Sequence, residues 1–327
     1  MKRAKPITPA WSGTALRILS VASVTVGAAS VVRALSRRAA EMGVSAAVDR
    51  YPPGLIRHRN SQSEQRQRAD SAADRLRSLP SERLELTARD GTRLVGHWFP
   101  AAEPKRVILA FHGWRSSWAR DFGPIAPFWA ESGCSVLYAE QRGHGESGDD
   151  RIGFGFLERY DVQDWLAELE RLGLIGDRPV YLAGISLGAT TVMLAAGLPL
   201  PDCVHGVLAD CGFTSAADIW KRVWERRQPL PFALWRRDVD RLTEARLGCL
   251  PDADSTPEAL ARTDKPVLLV HGLADDFVPP EMTERAYAAC AAPKRLLLVP
   301  RAKHGMSYVV DPEGYQAALR EFWESFD

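Results

Sequence analysis

Gly184-Ile185-Ser186-Leu187-Gly188 sets a serine between two glycines, directly after the apolar run Val180 to Ala183 and at the start of a run of small and apolar residues reaching Ala196. A strand that turns sharply into a helix would lift the Ser186 hydroxyl clear of the backbone, and glycines on both sides relieve the crowding. A serine hydroxyl attacks a carbonyl only when a base removes its proton. His304 is the candidate base, because Arg301-Ala302-Lys303-His304-Gly305 follows the late apolar run Leu296 to Val299. His271 ends an apolar run and precedes Gly272, which suits packing or a turn, and His97, His144 and His205 fit no base position in this order. The acid that orients the base should lie between serine and histidine in the chain. Asp275 follows Val267 to Val270 in His271-Gly272-Leu273-Ala274-Asp275-Asp276 and is the leading candidate; Asp276 and Asp210 are alternatives.

An attacking serine leaves an oxyanion that needs preorganised donors. One is expected from the backbone N–H of Leu187, after the nucleophile, and the other from Trp114 N–H in His112-Gly113-Trp114, after the run ending at Phe111. Arg142-Gly143-His144-Gly145-Glu146-Ser147 reads as a tight turn anchored by Arg142.

These residues need a scaffold that brings strand ends together. Val107 to Phe111, Ser135 to Ala139, Val180 to Ala183, Val204 to Ala209, Val267 to Val270 and Leu296 to Val299 are short runs rich in Val, Leu, Ile and Ala. Such runs suit parallel strands buried on both faces. Helical patterns alternate with them over Asp161 to Leu172, Ser186 to Ala196, Glu281 to Ala289 and Pro312 to Phe326. The expected class is α/β, a mainly parallel sheet covered on both sides. Leu84 to Thr87 and Arg93 to Phe99 around Asp90-Gly91 predict an antiparallel hairpin at one edge. Residues 212–263, rich in tryptophan and arginine, are long for a connection and predict a helical cap.

The 327 residues carry a net charge of +1, with 46% hydrophobic and 25% charged residues, so no field favours nucleic acid. Five scattered cysteines (Cys134, Cys203, Cys211, Cys249, Cys290) lack metal-type spacing and read as buried small hydrophobes or free thiols. Nothing implies a metal, a nucleotide or another cofactor. At the N-terminus, Lys2, Arg3 and Lys5 precede an apolar run from Ala15 to Val32, followed by Arg33, Arg37 and Arg38. It is expected to be a membrane anchor, with a cleaved signal or a peripheral segment as alternatives; basic residues at both ends leave sidedness open. The division expected is an anchor or signal over 1–40, a polar linker or surface helix over 41–80 and a catalytic domain over 81–327.

Together these motifs resemble the α/β-hydrolase superfamily, and most closely the bacterial serine-aminopeptidase-like hydrolases with an N-terminal membrane segment. The resemblance rests on His112-Gly113, the Arg142 turn, the serine motif and Asp210-Cys211-Gly212-Phe213-Thr214-Ser215. It extends to His271-Gly272-x-x-Asp275-x-x-Val278-Pro279 and His304-Gly305-Met306-Ser307-Tyr308. It implies an eight-stranded, mostly parallel sheet, no cofactor and a cap between the sixth and seventh strands. Glu140 stands where relatives often have Asp, which touches a turn and not the triad. The reaction expected is hydrolysis of a carboxylic ester, thioester or amide through an acyl-serine. Tryptophan and arginine in the cap suggest an apolar acyl group with an anionic portion. Small-peptide or aminopeptidase-type hydrolysis is one alternative, although capturing a free amine calls for carboxylates in the cap. A non-catalytic binding protein of the same fold is the other.

Overall fold

The computed structural model describes residues 33–50 apart from 35, 64–227 and 231–327. Residues 1–32 of the expected 1–40 anchor or signal, including the apolar run from Ala15 to Val32, lie outside them. Among the described residues no helix is long and apolar enough to cross a membrane.

Among the described residues, eight strands form one sheet: β1 (Glu82–Thr87), β2 (Arg93–Phe99), β3 (Arg106–Phe111), β4 (Cys134–Glu140), β5 (Val180–Ile185), β6 (Val204–Asp210), β7 (Val267–Gly272) and β8 (Lys294–Val299). Their order is β1-β2-β4-β3-β5-β6-β7-β8, with β2 antiparallel to both β1 and β4 and every other pair parallel. The expected hairpin therefore forms the edge. The helices, in chain order, begin with α1 (36–48), α2 (Glu64–Ser78), α3 (Trp118–Phe122), α4 (Ala126–Glu131), α5 (Glu158–Arg171) and α6 (Leu187–Ala196). The rest are α7 (Ala216–Arg227), α8 (Arg236–Leu247), α9 (Thr256–Arg262), α10 (Pro280–Ala289), α11 (Ser307–Val310) and α12 (Pro312–Phe326).

Alternation along β3 shows why both sheet faces are covered. Val107, Leu109 and Phe111 join one core cluster with Val162, Trp165 and Val192, while Ile108 and Ala110 join the other with Phe122, Trp129 and Phe322. Every residue of β3, β4 and β7 is buried, as strands sandwiched between helices require.

Register decides where the functional residues go. Phe111 pairs with Gly184, Ile185 with Asp210, and Asp210 with Val270, so four strands end together. The loops after them leave from one rim. The chain order reverses between β3 and β5, and in open α/β sheets that crevice is where ligands bind.

The region between β6 and β7 holds α7, a 3-10 turn (Phe232–Leu234), α8 and α9. The described part of 41–80 differs from a polar linker. In α1, Ala40, Val44 and Val48 are buried in a third cluster with Phe213, Ile219, Phe232 and Trp235. Helix α2 buries Ala69, Ala72, Ala73 and Leu76, and Gly123 packs so closely that a Cβ there would sit 2.7 Å from the Ala72 carbonyl carbon. Arginines on the outer faces of these helices give the sequence its polar look, but each helix keeps an apolar stripe that has to be covered.

Candidate active site

Ser186 sits at the turn from β5 into α6 with φ 56° and ψ −114°, backbone that a residue with a Cβ adopts only where its surroundings impose it. The surroundings do so here. Ser186 N–H donates to Asp210 O at 2.8 Å, and Thr190 N–H donates to Ser186 O at 3.0 Å. A Cβ on Gly188 would lie 1.8 Å from Phe111 O, and one on Gly184 would lie 2.2 Å from the Gly188 carbonyl carbon. Only glycine at both positions lets α6 start this close to β3.

His304, on the loop after β8, reaches across the rim. Its Nε2 lies 2.9 Å from Ser186 Oγ and its Nδ1 lies 2.6 Å from Asp275 Oδ2. An ionised carboxylate only accepts, so Nδ1 carries the ring proton and Nε2 presents its lone pair to the serine hydroxyl. Ser186 is 7% exposed and the Asp275 side chain is fully buried, so the array is open to a reactant only at the serine and imidazole.

Burial by itself would raise the Asp275 carboxyl, but hydrogen bonds from His271 and His304 outweigh it and hold the group well below the usual carboxylate range. The backbone helps. Asp275 Oδ1 accepts from Phe277 N–H at 2.9 Å and Val278 N–H at 3.0 Å. His271 donates Nε2–H to Val278 O at 3.0 Å and approaches Asp275 Oδ2 at 3.3 Å. It is thus more than a packing residue: it steadies the carboxylate that faces His304.

The other two acids expected as alternatives go elsewhere. Asp210 accepts from Ser307 Oγ at 2.9 Å, and complete burial pushes its carboxyl up to about 6. Asp276 is exposed and pairs with Arg226 from α7. Cys211, Asp275 and His304 place three potential ligand atoms within 4.8 Å of one another. Asp275 and His304 already share a hydrogen bond, however, and burial pushes the Cys211 thiol far up.

The two expected oxyanion donors flank Ser186. Leu187 is the first residue of α6, where backbone N–H groups lack partners within the helix. A Cβ on Gly113 would lie 3.3 Å from Ser186 Cβ, so the loop carrying Trp114 runs beside Ser186. That loop is fixed on both sides of Trp114. Gly113 N–H donates to Asp121 Oδ2 at 2.6 Å, and Arg115 N–H donates to His144 Nε2 at 2.9 Å. Burial, then the neighbouring His112, pushes His144 down to about 3, so the ring stays neutral and keeps the lone pair that receives Arg115. Arg142 anchors this turn. Its guanidinium is 2% exposed and donates to Asp161 at 2.8 and 2.5 Å and to Asp90 at 2.7 Å. The roles of His144, His271 and Asp121 were missed from sequence; His144 at least lies in a glycine-rich turn directly after a buried strand.

Above Ser186 lies a cavity of about 360 Å³, lined by Trp114, Phe154, Phe213, Trp220, Val223 and Trp224 among others, with α1 as one wall. Its lining carries no Arg, Lys, Asp or Glu among the described residues. Among the described residues, no cap arginine lines the cavity where the expected anionic portion would sit. Arg236 pairs with Asp240 and Asp252, Arg246 with Asp49, and Arg262 with Asp254, all away from the cavity lining.

The sequence profile described as "Alpha/beta hydrolase family" matches residues 107–318. The uncharacterized protein YqkD of Bacillus subtilis is 30% identical over 60% of this chain and 64% of its own length, so the match spans less than two thirds of that relative. Esterase YjfP of Escherichia coli is 26% identical over 73% of this chain and 98% of its own. Among solved structures, an esterase of Pyrococcus furiosus, Pf2001, superposes with a TM-score of 0.62 at 22% identity, covering 76% of this chain and 93% of that one.

Proposed function

The chain belongs to the alpha/beta hydrolase family and is a hydrolase; we propose that it cleaves carboxylic esters with an apolar acyl group, through an acyl-serine on Ser186. The observation that carries this reading is the continuous relay Ser186 Oγ–His304 Nε2 and His304 Nδ1–Asp275 Oδ2, at 2.9 and 2.6 Å, opening into a cavity without charged side chains among the described residues.

In the first half-reaction Ser186 Oγ attacks the ester carbonyl as its proton passes to His304 Nε2. Asp275 stabilises the imidazolium and holds the ring in place without taking the proton. The carbonyl oxygen becomes an oxyanion, received by the backbone N–H groups of Trp114 and Leu187. Collapse expels the alcohol, which takes the proton from His304. Water then repeats the cycle on the acyl-enzyme and releases the acid.

An aminopeptidase-type reaction would need a carboxylate to receive the substrate's free amine, and none lines the cavity among the described residues. The esterase name of the Escherichia coli relative supports the ester reading. Attachment of the chain to a membrane through the apolar run before Arg33 is part of the same proposal, tested by whether removing residues 1–32 moves the protein from the membrane fraction to the soluble one. The reaction is tested with p-nitrophenyl acyl esters and aminoacyl p-nitroanilides side by side. The expected result is ester turnover far above amide turnover, with both lost in Ser186→Ala; turnover of the aminoacyl amides above that of the esters would reverse the assignment.

A further inference from the structure

Seven of the residues around the cavity come from α1, outside the stretch that matches the family profile: Ala39, Ala40, Met42, Gly43, Val44, Ala46 and Ala47. Ala39, Gly43 and Ala47 recur every four residues, which aligns them on one face of the helix. The two ends of that face lie at different distances from Ser186. Near the nucleophile, Trp114 Nε1–H donates to Ala47 O at 3.0 Å, and Trp114 and Ser186 both line the cavity. Met42 also lines the cavity yet is 67% exposed, so that part of the helix reaches the surface. Between them, a Cβ on Gly43 would stand 3.3 Å from the Trp224 ring on the facing helix. At 1.5 Å per residue, Ala39 to Ala47 spans about 12 Å of helix.

The helix is clamped at this position. Ile152 N–H donates to Val48 O at 2.7 Å, Arg115 donates to Ala46 O at 2.6 Å, and Arg246 reaches Ser45 Oγ at 3.0 Å as well as Asp49. A wall held to both the sheet loops and the cap keeps its shape when a flexible chain enters.

We infer that α1 is a ruler for the acyl chain: Ala47, Gly43 and Ala39, in that order outward from Ser186, set how long an acyl group the cavity accepts. This rests on the acyl-serine reading above and adds the substrate's shape, one unbranched acyl chain lying along the helix with its far end toward Ala39. Small side chains leave the channel open, and a larger one at any of the three closes it at that depth.

The test uses the full-length chain and p-nitrophenyl acetate, butyrate, octanoate, laurate and palmitate, reading the ratio of kcat/KM on each ester to that on acetate. Ala47→Leu should lower the ratio at least tenfold from butyrate upward, Gly43→Leu only from octanoate upward, and Ala39→Leu only for laurate and palmitate. Trp224→Ala, which opens the facing wall, should restore the octanoate ratio in Gly43→Leu. Should a leucine variant fail to fold by circular dichroism, the valine variant at the same position is expected to show the same cut-off with a smaller drop. Ratios that match wild type in all three variants, or fall equally for every chain length, overturn the ruler. Loss of ester turnover in the wild type, or its persistence in Ser186→Ala, instead overturns the reading beneath it.

Discussion

At the catalytic rim, polar groups hold one another: Asp275 receives two backbone N–H groups and two histidines, and His144 receives Arg115 N–H. Across the cavity, α1 and α7 offer alanine, glycine, valine and tryptophan, without a charge among the described lining residues. The two sides obey different physics. Polar networks at low dielectric are costly when incomplete, so one substitution in them is felt through every partner. An apolar wall responds to volume, and a substitution in it changes what fits. Chemistry is thereby tied to the sheet and its loops, while substrate shape is left to peripheral helices.

The largest effect that could break this contrast is on the acid. Asp275→Asn should lower kcat by about 10⁴-fold, because an amide cannot hold the His304 tautomer that presents a lone pair to Ser186. Asp210→Asn should leave kcat within a few-fold, since Asp210 is bonded to Ser307. Its effect should instead appear in stability. The folded Asp210 carboxyl titrates near 6 rather than 3.8. The folded chain therefore keeps that proton at pH values where the unfolded chain has released it. The group costs stability increasingly as pH rises through this window, and the cost levels off above it. Asp210→Asn should raise stability at pH 7 by on the order of 1–3 kcal/mol, with the gain gone near pH 4; thermal melts at both pH values check this. A gain that is equal at both would contradict the assigned cause.

Next in size is the loop beside the nucleophile. His144→Ala removes the acceptor for Arg115 N–H and should cost about tenfold to hundredfold in kcat by loosening the Trp114 donor, with KM changing less. A fall confined to KM would place His144 in substrate binding instead. The acyl-length series on α1 sharpens the other side, since only selectivity should move there.

The smallest effect is expected for the cap arginines. Arg236 and its partner Asp252 are 36% and 48% exposed, and such pairs contribute about 0–1 kcal/mol. Arg236→Ala should leave relative kcat/KM for neutral and carboxylate-bearing esters unchanged within twofold. A selective loss on carboxylate-bearing esters would return the arginines to substrate recognition.

The catalytic rim was legible in sequence for a physical reason. A nucleophile, a base and an acid at the ends of buried parallel strands must each follow a short apolar run, as the candidates Ser186, His304 and Asp275 do. The sheet itself was readable from the same runs. Helix α1 was not, because Arg37, Arg38 and the glycine and alanine around them give little mean hydropathy. The signal present was spacing: Ala40, Val44 and Val48 recur every four residues, as an apolar helical stripe does. The cap was expected from its length, but its arginines suggested a charged ligand. Arg236, Arg241, Arg246 and Arg262 have carboxylate partners within the cap or beside it, a pairing that composition alone does not reveal.

The most direct measurement is intact-mass spectrometry of the wild-type chain and Ser186→Ala after treatment with an alkyl fluorophosphonate, followed by peptide mapping. A single adduct on the peptide containing Ser186, absent from Ser186→Ala, is the predicted result. An adduct of equal yield in Ser186→Ala, or one mapped to a different residue of the wild type, would contradict the assignment of Ser186 as nucleophile.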